Sequence, residues 1–249
     1  MRRRGGAWID LQPATSPALA RSTPSSCSVD DGVTRCQEPW QWGDDFAGET
    51  VVLIGNGPSL AMVAPEAVKG HRLIAINSAC RWAAPVAGPT DMLLFNDNSW
   101  HENHQDLAAA WPGVIVTSNR YAAARLAPRA RRLDVIALTI AVRVHPDATH
   151  ASSGHTAAAL AAAMGARRVV LLGFDGGPRG GRSHWHDDYR EADTAVYQDR
   201  MLPGWRDLVP GLARMGCEVI NATPGSSIDA APIVPLADAL GAGTLEALP

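Results

Sequence analysis

The sequence predicts an α/β fold: a single Rossmann-like, doubly wound, mainly parallel sheet. Two observations carry this expectation. From Thr50 onward, short apolar runs rich in β-branched residues alternate with alanine-rich stretches of helical length, the pattern of parallel strands joined by helices. Clusters of Gly, Asn, Ser and Asp directly follow several of these runs, and the carboxyl ends of strands are where an open sheet of this kind collects its ligands.

The elements are expected in this order. Strands over 51–54, 72–76 and 91–95 end at Gly55-Asn56-Gly57-Pro58-Ser59-Leu60, at Asn77-Ser78 and at Asn96-Asp97-Asn98. A helix over 59–68 separates the first two, and Pro58 suits its opening turn. A helix over 102–110, a strand over 113–117, a helix over 120–127 and a strand over 133–138 follow. An alanine-rich helix over 154–165 opens at Ser152-Ser153-Gly154, and a strand over 168–172 ends in Gly173-Phe174-Asp175. A helix over 192–215, a strand over 218–221 and a short helix over 235–240 complete the domain, which spans 46–249. Residues 1–45, rich in Ser, Pro, Thr, Gly and Asp without a period, read as a poorly ordered tail. The glycine- and arginine-rich segment at about 176–195 reads as a lid.

Composition narrows the chemistry. With 249 residues, 46% hydrophobic and a formal charge of −3, the chain is globular and poorly suited to coat nucleic acid. Its single lysine, Lys69, lies outside any Gly-x-x-x-x-Gly-Lys context, which argues against P-loop nucleotide hydrolysis and Schiff-base chemistry. Cys27, Cys36, Cys80 and Cys217 form no Cys-x-x-Cys pair, so neither a zinc knuckle nor a redox dithiol is written. The longest small-apolar stretch, 157–165, has about half the length of a membrane span. Polar residues follow Arg2-Arg3-Arg4 where a signal peptide is apolar, and a cytoplasmic location without a transmembrane segment is expected.

The strand ends define a candidate pocket. Gly55 and Gly57 permit a tight turn and close approach to a phosphate, while the helix start beyond Pro58 offers N–H groups to an anion. Leu60 stands where a dinucleotide fingerprint has its third glycine, and Asn77 where it has a ribose-binding acid, so a nucleotide fits better than NAD. Asparagine amides donate and accept, which suits a base edge or a ribose hydroxyl. Ser152 and Ser153 could cap the alanine-rich helix or face an anion.

Ser183-His184-Trp185-His186-Asp187-Asp188-Tyr189 is the densest titratable and aromatic cluster. One reading is a metal site of the His-x-His-x-Asp-His type, but Tyr189 replaces the closing histidine and no histidine follows His186. The other is a general base, His186 or His184, taking a proton from an acceptor hydroxyl. His101 and His104 read as part of a solvated helix start, and Arg131 and Arg132 as surface charges.

In their order, these motifs resemble those of the bacterial sialyltransferases of glycosyltransferase family 42. They resemble more distantly the MptE-like pterin diphosphokinases, which share a Gly-Pro-Ser-Leu turn and a Ser-Gly helix start. The similarity covers residues 50 to about 232, including Asn221 to Ser227. It implies an inverting, metal-independent transferase with no cofactor, using a nucleotide sugar such as CMP-sialic acid and a hydroxyl-bearing acceptor, a saccharide or a modified base. Compact relatives of this kind resemble phage-encoded proteins. By the same resemblance Asn56, Ser59 and Asn77 would hold the nucleotide, Asn96 and Ser153 the phosphate and sugar, Asp175 the ribose or base, and His186, or next His184, would be the base. Family tyrosines that bond the departing phosphate are replaced, with Gly177 near one position and Trp185 at another, which leaves His150 and Arg182 as candidate substitutes. The alternatives are an MptE-like diphosphokinase using ATP, with Mg²⁺ held by carboxylates such as Asp97 and Asp175, and a catalytically inactive nucleotide-binding protein.

Overall fold

The protein is described from a computed structural model over residues 38–189 and 194–241. The sheet contains β1 (Thr50–Ile54), β2 (Arg72–Ile76), β3 (Met92–Phe95), β4 (Val114–Thr117), β5 (Ala130–Arg132), β6 (Arg168–Leu172) and β7 (Glu218–Asn221). Their spatial order is β5-β4-β3-β2-β1-β6-β7, and every neighbouring pair is parallel. The inner strands are apolar on both sides, as a parallel sheet covered on both faces requires. Val51, Leu53, Ile74 and Leu94 enter one core layer, while Val52, Ile54, Leu73 and Phe95 enter the other.

Successive strands first step outward from β1 to β5, with α1 (Ala79–Ala83), α2 (Asn98–Asn103), α3 (Gln105–Ala110) and α4 (Arg120–Arg125) on one face. The chain then returns through α5 (Val135–Val142), α6 (Pro146–His150) and α7 (Ser153–Ala163) on the opposite face to pair β6 with β1. Right-handed crossovers demand this change of face when the strand order reverses. The short α8 (Thr194–Val196) and then α9 (Leu202–Arg214) lead to β7, and α10 (Leu236–Gly241) closes the first face. Alanines along α7 let it lie close to β1, β2, β3 and β6.

Several expected elements are corrected. The strand expected over 133–138 ends earlier, as β5 at 130–132, and α5 occupies 135–142. Asp134 explains the change: its carboxylate accepts from the amides of Ile136 and Ala137 and caps a helix. The expected 59–68 helix is two 3₁₀ turns, Pro58–Met62 and Pro65–Val68, because Val63 and Ala64 are extended ahead of Pro65. The 102–110 helix starts at Asn98 and breaks at His104, and α1 and α6 were not anticipated. Of the 192–215 helix, 192–193 lie outside the described residues, and the remainder carries a π-helical turn at Tyr197–Met201, closed by the Leu202 amide donating to Tyr197 O.

Residues 1–37 of the expected tail, 190–193 of the expected lid and 242–249 also lie outside the described residues. Within 38–45, Trp40 donates from its amide to Arg132 O on the edge strand, and Trp40 and Trp42 pack on the core. His101 is buried and stacks on Phe95 at 5.5 Å, a correction to its expected solvation.

Leu160, wholly buried at the middle of α7, is the hinge of this packing. Leu160→Ala is expected to cost about 2–5 kcal/mol, read as a lower urea midpoint at unchanged m-value.

Candidate functional site

The order reversal leaves a crevice over the carboxyl ends of β1 and β6. There the two strands run on together, with Gly55 N–H donating to Leu172 O and Gly57 N–H to Gly173 O. Both glycines are required by space: a Cβ on Gly55 would sit 2.5 Å from Gly173 O, and one on Gly57 would collide with the Asp175 carboxylate. Gly173 has φ +72°, a conformation glycine adopts without strain. Thr223 and Ser226, from the loop after β7, hold the Phe174 backbone by hydrogen bonds to its amide and carbonyl.

A cavity of about 560 Å³ opens above this point. Gly55, Asn56, Gly57, Asn77, Asn96, Asp97, His150, Ser152, Ser153, Gly154, Gly173, Phe174, Asp175 and His184 all line it, so the four strand ends and the α7 start meet on one rim. Pro58, Ser59, Arg182 and His186 do not line it. Arg182 instead pairs with Asp187 at the surface.

Ser59 serves a different purpose from the one expected. Its hydroxyl and amide both donate to Asp175 Oδ2, at 2.7 and 3.3 Å, and Arg179 Nε approaches Asp175 Oδ1 at 3.3 Å. The first helical turn is thus filled by the protein's own carboxylate, and it offers no vacant cradle for a phosphate. The longer α7 does: its first intrahelical bond is made by Thr156 N–H to Ser152 O, so the amides of Ser153, Gly154 and His155 precede the ladder and face the cavity end. A Cβ on Gly154 would meet the Phe174 ring at 2.6 Å.

The histidines divide by environment. His155 is fully buried under α9 and donates from Nε2 to Met201 O, which leaves Nδ1 to accept from the Ser152 hydroxyl. His186 is locked in the same way. Asn56 Nδ2 donates to Ile76 O, so Asn56 Oδ1 accepts from His186 Nε2–H at 3.1 Å, and His186 Nδ1 accepts from the Asp188 amide. Both ring nitrogens are therefore committed, and burial pushes the pKa of each imidazole down to about 4. His186 pins the 176–189 segment to β1 and has no nitrogen left over the cavity; His184, its neighbour at 5.6 Å between centroids, lines the cavity.

Asn77 adopts φ +51° and donates to the Tyr189 hydroxyl, while its buried Oδ1 has no hydrogen-bond partner. An unmatched acceptor on a cavity wall is a point for a ligand donor. Asn96 bonds Thr156 and Ser118 and ties β3 to α7 and β4. Tyr189, which the sequence places in the His184–His186 cluster without a role, also lines the cavity, as do Tyr197 and Arg200, which sequence reasoning missed. The last two come from the π-helical turn, and Arg200 is the one Arg or Lys among the described lining residues.

No protein-family model and no curated protein matches the chain. Among solved structures, two of similar fold are sialyltransferases. The sialyltransferase CstII from Campylobacter jejuni, in complex with the substrate analogue cytidine-5'-monophosphate, matches with TM-score 0.51 at 16% identity, over 76% of this chain and 86% of that one. The monofunctional α-2,3-sialyltransferase Cst-I of the same organism matches with TM-score 0.54 at 14% identity, over 81% and 85%. The chain is therefore sialyltransferase-like in fold.

His155 and His186 predict a pH dependence. Each binds its proton only near pH 4 when folded and near 6.5 when unfolded. Between those values the unfolded chain holds more protons, so stability is full above about pH 6.5 and falls as the pH drops toward 4. Urea unfolding at pH 7.5, 5.5 and 4.5 should show this decline, and His186→Gln, which cannot titrate, should make it shallower while His155 keeps its share.

Proposed function

We propose that the protein is an inverting glycosyltransferase that uses a nucleotide sugar of the CMP-sialic acid type without an obligatory metal. One observation carries the reading: strand ends far apart in sequence converge on a single cavity at the start of α7, whose first amides precede the helix's own hydrogen-bond ladder, in a fold shared with a CMP-bound sialyltransferase. The α7 amides suit the donor phosphate, and the unpartnered acceptor of Asn77 suits an amino or hydroxyl group of the nucleotide. His184 is the base in this reading, since it lines the cavity and His186 does not. It takes the acceptor hydroxyl proton as that oxygen attacks the anomeric carbon from the face opposite the nucleotide.

Negative charge then develops on the departing phosphate. Arg200, with Tyr197 and His150 beside it on the lining, is suited to meet that charge in place of the tyrosines missing at the family positions. The diphosphokinase alternative would rely on Asp97 and Asp175 to hold Mg²⁺. Asp175 is already bonded to Ser59 and paired with Arg179, which favours the first reading.

CMP should raise the melting temperature without added metal, by more than ATP with Mg²⁺ or NAD does; a response to ATP with Mg²⁺ alone would replace this reading with the kinase. Release of CMP from CMP-sialic acid should fall roughly a hundredfold in His184→Ala while CMP still stabilises the variant. Arg200→Ala should lower the same turnover by at least tenfold. Full turnover in His184→Ala would reject His184 as the base, and CMP stabilisation with no turnover in the wild type would indicate the inactive binding protein.

A further inference from the structure

Three helices of this chain are capped by the side chain of the residue that precedes them. Asn119 accepts from the Tyr121 and Ala122 amides at the head of α4, Asp134 from those of Ile136 and Ala137 at α5, and His145 Nδ1 from that of Asp147 at α6. Helix α7 is preceded by Ser152, a residue type as suited to that task as Asn or Asp, with the extended backbone that a cap adopts. Its hydroxyl nevertheless makes no bond to an α7 amide.

The hydroxyl is held elsewhere. It donates to His155 Nδ1 at 2.8 Å, because His155 Nε2–H is engaged by Met201 O at 3.0 Å and a carbonyl can only accept. His155 stands at the third helical position, where a capping box carries a Glu or Gln that reaches back to the cap residue. Here an imidazole reaches back instead, and it bonds the side chain of the cap. The ring cannot swing away. It is fully buried, Trp205 lies against it with 4.2 Å between centroids, and α9 crosses so closely that a Cβ on Gly204 would sit 2.9 Å from Nε2. Burial also keeps the ring neutral at pH 7, with its pKa lowered to about 4, so Nδ1 presents a lone pair to Ser152.

We infer that His155 is a positioning residue for the anion site at α7: by holding the Ser152 hydroxyl it stops the helix from capping itself and leaves the Gly154 and His155 amides to a ligand phosphate. The inference rests on the reading of the cavity as a nucleotide site. A serine cap and a phosphate compete because they use the same donors. A Ser oxygen turned onto the second or third amide of a helix satisfies that amide, whereas an anion at the same place gains from several amides and from the helix dipole together. Ser152, Ser153 and Gly154 line the cavity and His155 does not, so the histidine acts through Ser152 rather than on the ligand.

Calorimetric titration of the full chain at pH 7.5 with CMP, and with cytidine, which lacks the phosphate, tests this. The wild type is expected to bind CMP at least about tenfold more tightly than cytidine. His155→Leu, and the milder His155→Gln, which keeps a donor for Met201 O, should each weaken CMP by about fivefold to tenfold and leave cytidine unchanged. Adding Ser152→Ala to either should return CMP binding to within about twofold of that of Ser152→Ala alone, because alanine cannot cap. His155→Asn, whose Oδ1 stands where Nδ1 does, should bind CMP as the wild type does. A purely structural His155 would weaken both ligands and gain nothing from Ser152→Ala, and either result overturns the inference. So does wild-type affinity for CMP in both His155→Leu and His155→Gln. Wild-type binding of CMP no tighter than that of cytidine overturns the phosphate reading beneath it, and the inference with it.

Discussion

The strand order reverses at β1, and most of what the molecule can do depends on that reversal. Because crossovers in a parallel sheet keep one hand, the chain must change faces when it returns to pair β6 with β1. At that place the flanking connections diverge and leave the strand ends uncovered. Gly55, Gly57 and Gly173 follow from the same constraint, since the two strand extensions approach too closely to admit side chains. The cavity is thus a product of topology first and of side chains second.

Electrostatics then distinguishes two helix starts that look alike in sequence. The turn after β1 is satisfied internally by Asp175, whose carboxylate is neutralised by Arg179 and bonded by Ser59. Helix α7 is left with amides that no internal anion occupies in the described contacts. A folded protein gains stability by filling such a position itself, as this chain does after β1.

The central fold was legible because strands buried on both faces write uninterrupted apolar runs, and six of the seven expected strands form. The seventh misled because Val135-Ile136-Ala137-Leu138 has β-branched texture, and the deciding signal was the Asp134 cap rather than the run that follows it. The rim residues were legible for a geometric reason: all parallel strands end on one edge, so polar residues just after them must be neighbours. The roles of individual side chains were not. The partnership of Asn56 with His186 spans 130 positions, and nothing local shows that His186 has both nitrogens occupied. Tyr197 and Arg200 were hidden similarly, since a regular helix through 192–215 does not indicate which of its residues meets the cavity.

The π-helical turn that carries Tyr197 and Arg200 is in effect one residue more than an α-helix needs. Losing that residue would let the hydrogen-bond ladder close normally and would rotate everything upstream by about 100° relative to α9. Two cavity-lining groups would leave together while the sheet stayed untouched. A single-codon deletion here would therefore reshape that wall of the cavity in one step rather than by degrees.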